Sequence, residues 1–294
     1  MKIHKPIFII GSHRSGTRLL YNLLAFNPEL CWISTITDAF PSFPQIAITH
    51  KVLDLPLIGT QIKHYMLRFM LDTIPRHLLL SPREGSHIYG DYCGFVDDRK
   101  TTERDRTRVL EKRFKHIILT HLRMTGKSRF LTKQPPNVQR IRLLNAMFPD
   151  AYFLHIIRDG RAVANSLLQA YWWPEMQLWW LNGMRPSEWN RRQRDPVELC
   201  AMNWQQTIEE VFRNKKLLGD RYVEIRYEAL THDVRASLSS ILTRCELRIE
   251  PSYLSLLPVK LQSRNTNWKD DLTPSQQKLV GTALQSMLNR LGYT

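Results

Sequence analysis

The chain has 294 residues, enough for one large α/β domain or two small ones, and nothing in it has the composition of a flexible linker. Its 42 lysines and arginines exceed its 27 acidic residues by 15, a positive charge that suits nucleic acid, an anionic membrane face, an anionic substrate or plain solubility. The 4 cysteines form no C-x-x-C pair, which argues against a zinc site and against a disulfide framework.

The chain opens on a few residues that are too short for a signal peptide, and no uncharged apolar stretch approaches the roughly 18 residues that span a bilayer. We therefore expect a soluble, cytoplasmic protein with buried, reduced thiols.

The first predicted element is a buried strand at residues 7–10 that turns through Gly11 and Gly16 into a helix. Such a turn directs free backbone N–H groups and the positive end of the helix dipole at one point, which favours a phosphate or a sulfate. The loop lacks the lysine of the G-x-x-x-x-G-K-[ST] motif and carries Arg14 inside it instead. Arg14, Ser15 and Thr17 could still hold one phosphate-like group; the alternative is a tight turn without a ligand.

The next hundred residues have mostly helical patterns, at residues 52–71 and 104–124, around a loop-rich region at 75–98. A short strand at 129–132, a helix at about 139–148 and a strand at 151–157 then predict a βαβ unit and a parallel sheet. Ligands of such sheets bind at the carboxyl ends of the strands.

Four residues follow predicted strands and are therefore expected to converge on one crevice: Gly11, Lys133, Arg158 and Tyr227. Arg158 with Ser166 would suit a second anionic group, and Asp159 is expected to start a helix. The alternative is a surface turn in which Arg158 pairs with Asp159.

The segment 172–196 holds five of the chain's 8 tryptophans together with Arg185, Arg191, Arg192 and Arg194. It is either a lid that faces a substrate or a hydrophobic cluster packed on the sheet, since aromatic stripes are usually core. Near the end, Thr273 to Gln276 predicts a capping box for a last helix that Gly292 terminates.

Taken in order, these motifs resemble those of the sulfotransferases that use 3′-phosphoadenosine-5′-phosphosulfate (PAPS), above all the Arg-Ser-Gly-Thr loop of tyrosylprotein, carbohydrate and many bacterial members. Residues 6–28 are similar to the family's 5′-phosphosulfate loop and residues 153–167 to its 3′-phosphate element. Thr132-Lys133-Gln134-Pro135 is similar to the strand whose lysine contacts the transferring group. Residues 222–230 are similar to the strand whose tyrosine lies near the adenine, and 263–273 to the loop that closes over the nucleotide.

The resemblance implies one α/β domain over residues 1–294, with three layers, a central mainly parallel sheet, a P-loop-like phosphosulfate loop and helices on both faces. It implies PAPS as co-substrate, PAP as product and no metal. The residues that it assigns to the nucleotide are Arg14, Ser15, Gly16, Thr17, Arg18, Arg158, Ser166, Tyr227 and Arg264, and the catalytic lysine is Lys133.

The catalytic base is where the chain departs from the family pattern. Cytosolic members place a histidine two residues after the lysine, where this chain has Pro135, and the position of the tyrosylprotein branch's glutamate falls on Thr35. The remaining candidates are Asp38 and Glu84, each of which could equally be a turn or cap acid.

The sequence therefore predicts a sulfotransferase that transfers a sulfuryl group to a hydroxyl or amine of a carbohydrate, lipid, peptide or small alcohol. The excess positive charge also suggests peripheral association with an anionic surface. A P-loop kinase acting on a small molecule and a basic nucleic-acid-binding protein are the alternatives, although no nucleic-acid-binding module is recognisable and no nucleic-acid partner is expected.

Overall fold

The structure, a computed structural model, describes residues 2–72, 78–190 and 194–293. Its strands are β1 Ile7–Ile10, β2 Leu30–Cys31, β3 Arg129–Lys133, β4 Tyr152–Ile157 and β5 Tyr222–Arg226. They form a parallel sheet of five strands in the order β2-β3-β1-β4-β5. The predicted parallel sheet is confirmed.

Helices connect these strands and cover the sheet. The α-helices are α1 Thr17–Ala25, α2 Thr35–Ala39, α3 Ile58–Asp72, α4 Arg108–Thr125, α5 Ile141–Met147, α6 Gly160–Leu168, α7 Pro186–Asn190, α8 Pro196–Leu218, α9 Tyr227–His232, α10 Val234–Arg244, α11 Pro251–Leu256, α12 Trp268–Asp271 and α13 Pro274–Leu291. The 3₁₀ helices are Pro44–Asp54, Glu103–Asp105, Pro135–Val138, Trp173–Glu175 and Gly219–Arg221, and His87–Cys93 is a π-helix.

Successive side chains of the central strand enter two different cores. Ile7 and Ile9 of β1 pack with Leu20 of α1 and Leu230 of α9, whereas Phe8 and Ile10 pack on the opposite face of the sheet. That second core contains residues of α4, α5 and α8. Because alternate residues of a strand point to opposite faces, an unbroken apolar strand requires cover on both sides. The predicted three-layer architecture is confirmed.

Local sequence signals set several helix ends as predicted. The Thr273 hydroxyl accepts the Gln276 N–H, the Gln276 side chain accepts the Thr273 N–H, and Gly292 ends α13 at a φ of +73°. Asp159 caps α6 by accepting the Arg161 N–H at 2.8 Å.

Three predicted helices have different bounds in the structure. The stretch 52–71 divides into the end of a 3₁₀ helix and α3, with Leu57 between them at a φ of +62°. The helix expected at 104–124 begins at Arg108, where Thr107 provides the N-cap, and the helix expected at 139–148 begins at Ile141.

The four cysteines are free and buried. In the described part of the chain, no helix is both long enough and apolar enough to cross a bilayer.

Candidate active site

The loop between β1 and α1 has a conformation that two glycines make possible. Gly11 and Gly16 have φ values of +148° and +98°. A Cβ at Gly11 would lie 2.7 Å from the carbonyl oxygen of Ile156, and one at Gly16 would lie 2.7 Å from the ring of Tyr227. The loop therefore lies directly against β4 and the residue that follows β5, where a larger side chain would clash.

The start of α1 offers an anion site. Gly16 provides no side-chain cap, and the first turn contains no acidic residue. The Ser15 hydroxyl is used within the loop, since it donates to the Ser12 carbonyl at 2.6 Å. The first N–H groups of α1 and its positive dipole end thus lack a carboxylate or hydroxyl from the helix's own sequence, an arrangement that favours a phosphate or sulfate.

Arg14 and Arg158 join this loop to the end of β4. Arg14 donates from Nε to the Ser166 hydroxyl at 2.8 Å. Arg158, which is buried, donates to the carbonyl oxygens of Arg14 at 3.1 Å and Arg264 at 2.5 Å, and its guanidinium lies 4.5 Å from the ring centre of Tyr227. The structure thus brings together the residues expected at both ends of the nucleotide, and Arg158 is not the surface residue of the alternative interpretation.

Lys133, at the end of β3, pairs with Glu84. Its Nζ lies 2.6 Å from Glu84 Oε1, and Arg18 Nη2 lies 3.2 Å from the same oxygen. Burial alone would raise the pKa of Glu84, but the charges of Lys133 and Arg18 lower it to about 2. Glu84 is therefore ionised at neutral pH and lies between two cations.

The cations of the site outnumber the nearby acids. Burial lowers the pKa of Arg14, and the charges of Arg18 and Arg264 lower it further. Burial also lowers the pKa of Lys133, where Glu84 opposes the shift and Arg18 and Arg14 add to it. Mutual repulsion of this kind is relieved when an anion binds, so the electrostatics favour a ligand with several negative charges.

The second candidate acid lies elsewhere. Asp38 is buried, and its Oδ1 accepts the backbone N–H of Ile88 at 3.1 Å. Burial raises the pKa of this carboxyl group. Glu84 lines the cleft at the carboxyl edge of the sheet, whereas Asp38 is not among the cleft-lining residues in the part of the chain that the structure describes.

The loop after β1, Lys133 and Arg158 lie around a cleft of about 1420 Å³ at the carboxyl edge of the sheet. The apolar residues of its lining include Trp172, Met176 and Trp179, together with Pro135 and Pro136. The tryptophan segment divides, because Trp173 and Trp189 are buried in a core whereas Trp172 and Trp179 face the cleft. Arg185 lines the cleft and Arg194 pairs with Glu198; Arg191 and Arg192 lie outside the described residues.

His13 is a cleft residue that the sequence analysis did not single out. It precedes Arg14 in the loop, lines the cleft, and its ring centre lies 5.2 Å from that of Trp172. Burial, with Lys133 and Arg14, lowers its pKa to about 4, against the effect of Glu84. The sequence feature that could have identified His13 is its position in the loop between β1 and α1, next to Arg14.

Comparison with known proteins is consistent with this geometry. A family model described as "Sulfotransferase family" matches residues 6–251. The omega-hydroxy-beta-dihydromenaquinone-9 sulfotransferase Stf3 of Mycobacterium bovis is 22% identical to this chain over an alignment of 307 residues. The alignment covers 98% of this chain and 75% of the relative.

Two solved structures share the fold. Sulfotransferase STF9 from Mycobacterium avium superimposes with a TM-score of 0.63 at 17% identity and covers 99% of this chain and 77% of its own. Sulfotransferase STF1 from Mycobacterium tuberculosis H37Rv superimposes with a TM-score of 0.60 at 14% identity, covering 96% of this chain and 76% of its own.

Proposed function

This chain belongs to the sulfotransferase family, and we propose that it transfers the sulfuryl group of PAPS to a hydroxyl or amine of an acceptor with an apolar body. The observation that carries the donor assignment is the convergence of Arg14, Arg158 and Lys133 beside the uncapped start of α1. A kinase and a nucleic-acid-binding protein, the two alternatives, receive no such support from the family match.

The proposed roles follow the geometry of the cleft. The loop residues Arg14 to Thr17, with Arg18, hold the 5′-phosphosulfate, and Tyr227 lies against Gly16 where the adenine is expected. Arg158, Ser166 and Arg264 form the site for the 3′-phosphate. Charge-assisted hydrogen bonds from arginine are well suited to such groups.

Lys133 is proposed to stabilise negative charge that develops on the bridging oxygen as the sulfuryl group leaves. Its ammonium group is buried and held by Glu84, so it is positioned before the reaction begins. The acceptor's proton also requires a base, for which Glu84 and Asp38 are the candidates from the sequence.

An apolar acceptor body is supported by the cleft wall. Trp172, Met176 and Trp179 face the cleft, and Tyr171 beside them is 94% exposed. Exposed aromatic rings within a polar cleft are suited to contact with an apolar part of a ligand. The relative Stf3 is itself named for a menaquinone acceptor.

The direct test is sulfation of cell extracts. Extracts incubated with PAPS and the purified protein should gain products heavier by one sulfate group that partition into organic solvent, and the matched Lys133→Ala protein should yield far fewer. Products confined to the aqueous phase would contradict the apolar acceptor. The absence of any sulfated product, with PAP binding intact, would contradict the proposed transfer from PAPS.

We further propose that the protein associates peripherally with an anionic bilayer. Most exposed large hydrophobic side chains among the described residues lie between residues 40 and 79, and Phe43 and Leu57 are 62% and 81% exposed. Exposed apolar side chains on a chain of net charge +15 suit contact with anionic headgroups. The four buried free cysteines support the cytoplasmic face as the location.

Vesicle co-sedimentation tests this association. Binding to phosphatidylglycerol vesicles should exceed binding to phosphatidylcholine vesicles and should fall in the Phe43→Ser/Leu57→Asn variant. The control variant Val109→Ser/Val259→Ser changes exposed residues outside this segment and should bind like the wild type. Equal binding by both variants would contradict the assignment of the surface.

A further inference from the structure

His13 occupies a position that the proposed roles above leave without a function. It lies in the loop next to Arg14, lines the cleft, and packs its ring against Trp172 with 5.2 Å between the ring centres. Lys133, Glu84 and Arg14 are the charged groups close enough to act on it. His13 is thus an imidazole of the β1–α1 loop that lines the cleft and contacts Trp172, one of the tryptophans in the same lining.

The two candidate acids are poorly placed for proton removal. Glu84 Oε1 already accepts hydrogen bonds from Lys133 and Arg18, so this oxygen is occupied by two cations. Asp38 accepts the Ile88 N–H, and the described residues that line the cleft do not include it. The transfer reaction therefore needs another proton acceptor within the cleft.

We propose that His13 is this base, an assignment that rests on the proposed transfer from PAPS. The acceptor oxygen forms a new bond to sulfur, while the bond from sulfur to the 5′-phosphate oxygen breaks and leaves its electron pair on PAP. The proton of the acceptor hydroxyl passes to the unprotonated ring nitrogen of His13. Trp172, whose ring lies against that of His13, limits the orientations that the imidazole can adopt.

The surroundings of His13 favour the form that such a base needs. Burial lowers the pKa to about 4, with Lys133 and Arg14 lowering it and Glu84 raising it, and no hydrogen bond to another described residue contributes. The ring is therefore neutral near pH 7. Binding of an anionic donor brings negative charge to the same loop, which raises the pKa of the ring and so makes it a stronger base.

The decisive experiment compares acceptors that differ in their need for a base. His13→Asn is assayed at mildly alkaline pH with three acceptors. Phenol still carries its proton at that pH, whereas p-nitrophenol is largely ionised. Water is the third acceptor, and its reaction is measured as the hydrolysis of PAPS. Loss of a general base should lower kcat with phenol and water by about 10²-fold or more, and much less with p-nitrophenol. The dissociation constant of PAP should stay within about twofold, because His13 is not a nucleotide ligand here.

Two controls separate a catalytic role from a structural one. His116→Asn, at an exposed histidine of α4, should behave like the wild type. The acid limb of kcat/KM, measured with phenol at saturating PAPS, should be present in the wild type and absent in His13→Asn. A uniform loss with all acceptors, or the selective loss in Asp38→Asn instead, would overturn the assignment.

A measurement without turnover covers the case in which none of these acceptors reacts. With ¹³C-labelled histidine, the His13 ring of the wild type should be neutral at pH 7 without ligand and should titrate at higher pH when PAP is bound. A ring that is protonated at pH 7 in the free protein would contradict the proposal. Failure of the wild type to bind PAP would instead contradict the proposed donor, so the two failures are distinguishable.

Discussion

Glu84 shows how one carboxylate positions two cations of the cleft. It accepts from Lys133 at 2.6 Å and from Arg18 at 3.2 Å through the same oxygen. Without it, Lys133 would be a buried ammonium group among like charges, which is an unfavourable environment for a cation. Glu84 therefore opposes the lowering of the Lys133 pKa and holds the ammonium group at the cleft.

Lys133→Ala should lower kcat far more than it lowers nucleotide affinity. Removal of one group that stabilises charge in the transition state typically costs about 10²–10³-fold in kcat. The dissociation constant of PAP, from calorimetry, should change by only a few fold, because the arginines retain the phosphates. If affinity and turnover fell equally, or if neither changed, the catalytic role of Lys133 would be wrong.

Glu84→Gln should reduce the loss of stability in acid. The folded pKa of about 2 lies below the ordinary value of 4.5, so this carboxylate stabilises the fold above pH 4.5, and the stabilisation is lost as the pH falls towards 2. Between about pH 5 and about pH 3, Tm should therefore fall more in the wild type than in the variant. Glu188→Gln, at an exposed carboxylate, serves as control; equal Tm changes in the wild type and Glu84→Gln would refute the ion pair.

Among the elements, the turn from β1 to α1 depends strictly on residue size. Gly16 has a positive φ, and a Cβ added there would lie 2.7 Å from the ring of Tyr227. An alanine would therefore strain the backbone and clash with that ring. Tyr227 starts α9 directly after β5. One glycine thus sets the distance between the β1–α1 loop and Tyr227, where the adenine is expected.

Gly16→Ala should lower both Tm and PAP affinity. The left-handed conformation costs a non-glycine residue about 1–2 kcal/mol, and displacement of Tyr227 would distort the loop. Gly281→Ala is the matched control, since a Cβ in that part of α13 has nothing within 4 Å. It should leave PAP binding unchanged and stabilise the fold by about 0.5–1 kcal/mol. Unimpaired PAP binding by Gly16→Ala would show that the loop does not hold the nucleotide.

Elements with strong local signals were predictable from the sequence. The apolar runs before Gly11, Lys133 and Arg158 gave the strands and hence the edge where the site lies. By contrast, β2 has only two residues, and the π-helix His87–Cys93 lies in a region expected to be a loop. Such elements form because neighbours pack on them, and sequence periodicity carries little trace of that.

The site residues divide along the same line. Position in the chain was enough to predict that Gly11, Lys133, Arg158 and Tyr227 would meet, because each lies at or directly after the carboxyl end of a strand of one parallel sheet. The pairing of Lys133 with Glu84 joins residues 49 positions apart, and the contact of His13 with Trp172 spans more than a hundred. Contacts of this kind depend on tertiary packing, which a single sequence does not reveal.

At the scale of the whole molecule, one sheet supports three packed cores. Two lie on its opposite faces, and the third joins the end of β4 to α6, α8 and α13. Trp204 of α8 donates to the carbonyl oxygen of Arg158 at 3.2 Å, which links this third core to the cleft. Binding at the cleft should therefore be coupled to the stability of the whole chain.

Residues 1–294 should unfold as a single domain. Differential scanning calorimetry should give one transition with equal calorimetric and van't Hoff enthalpies, and saturating PAP should move the whole transition to higher temperature. Two separate transitions, of which PAP shifts only one, would contradict the single domain.

Titration calorimetry with PAP in the presence of EDTA tests the central claim, that arginines and loop amides bind both charged ends of an adenosine donor without a divalent cation. We expect stoichiometric binding to the wild type, and at least about a hundredfold weaker binding when Arg14 and Arg158 are both alanine, since charge-assisted hydrogen bonds to both phosphate groups are lost. No heat with the wild type, or wild-type affinity in the double variant, would contradict it.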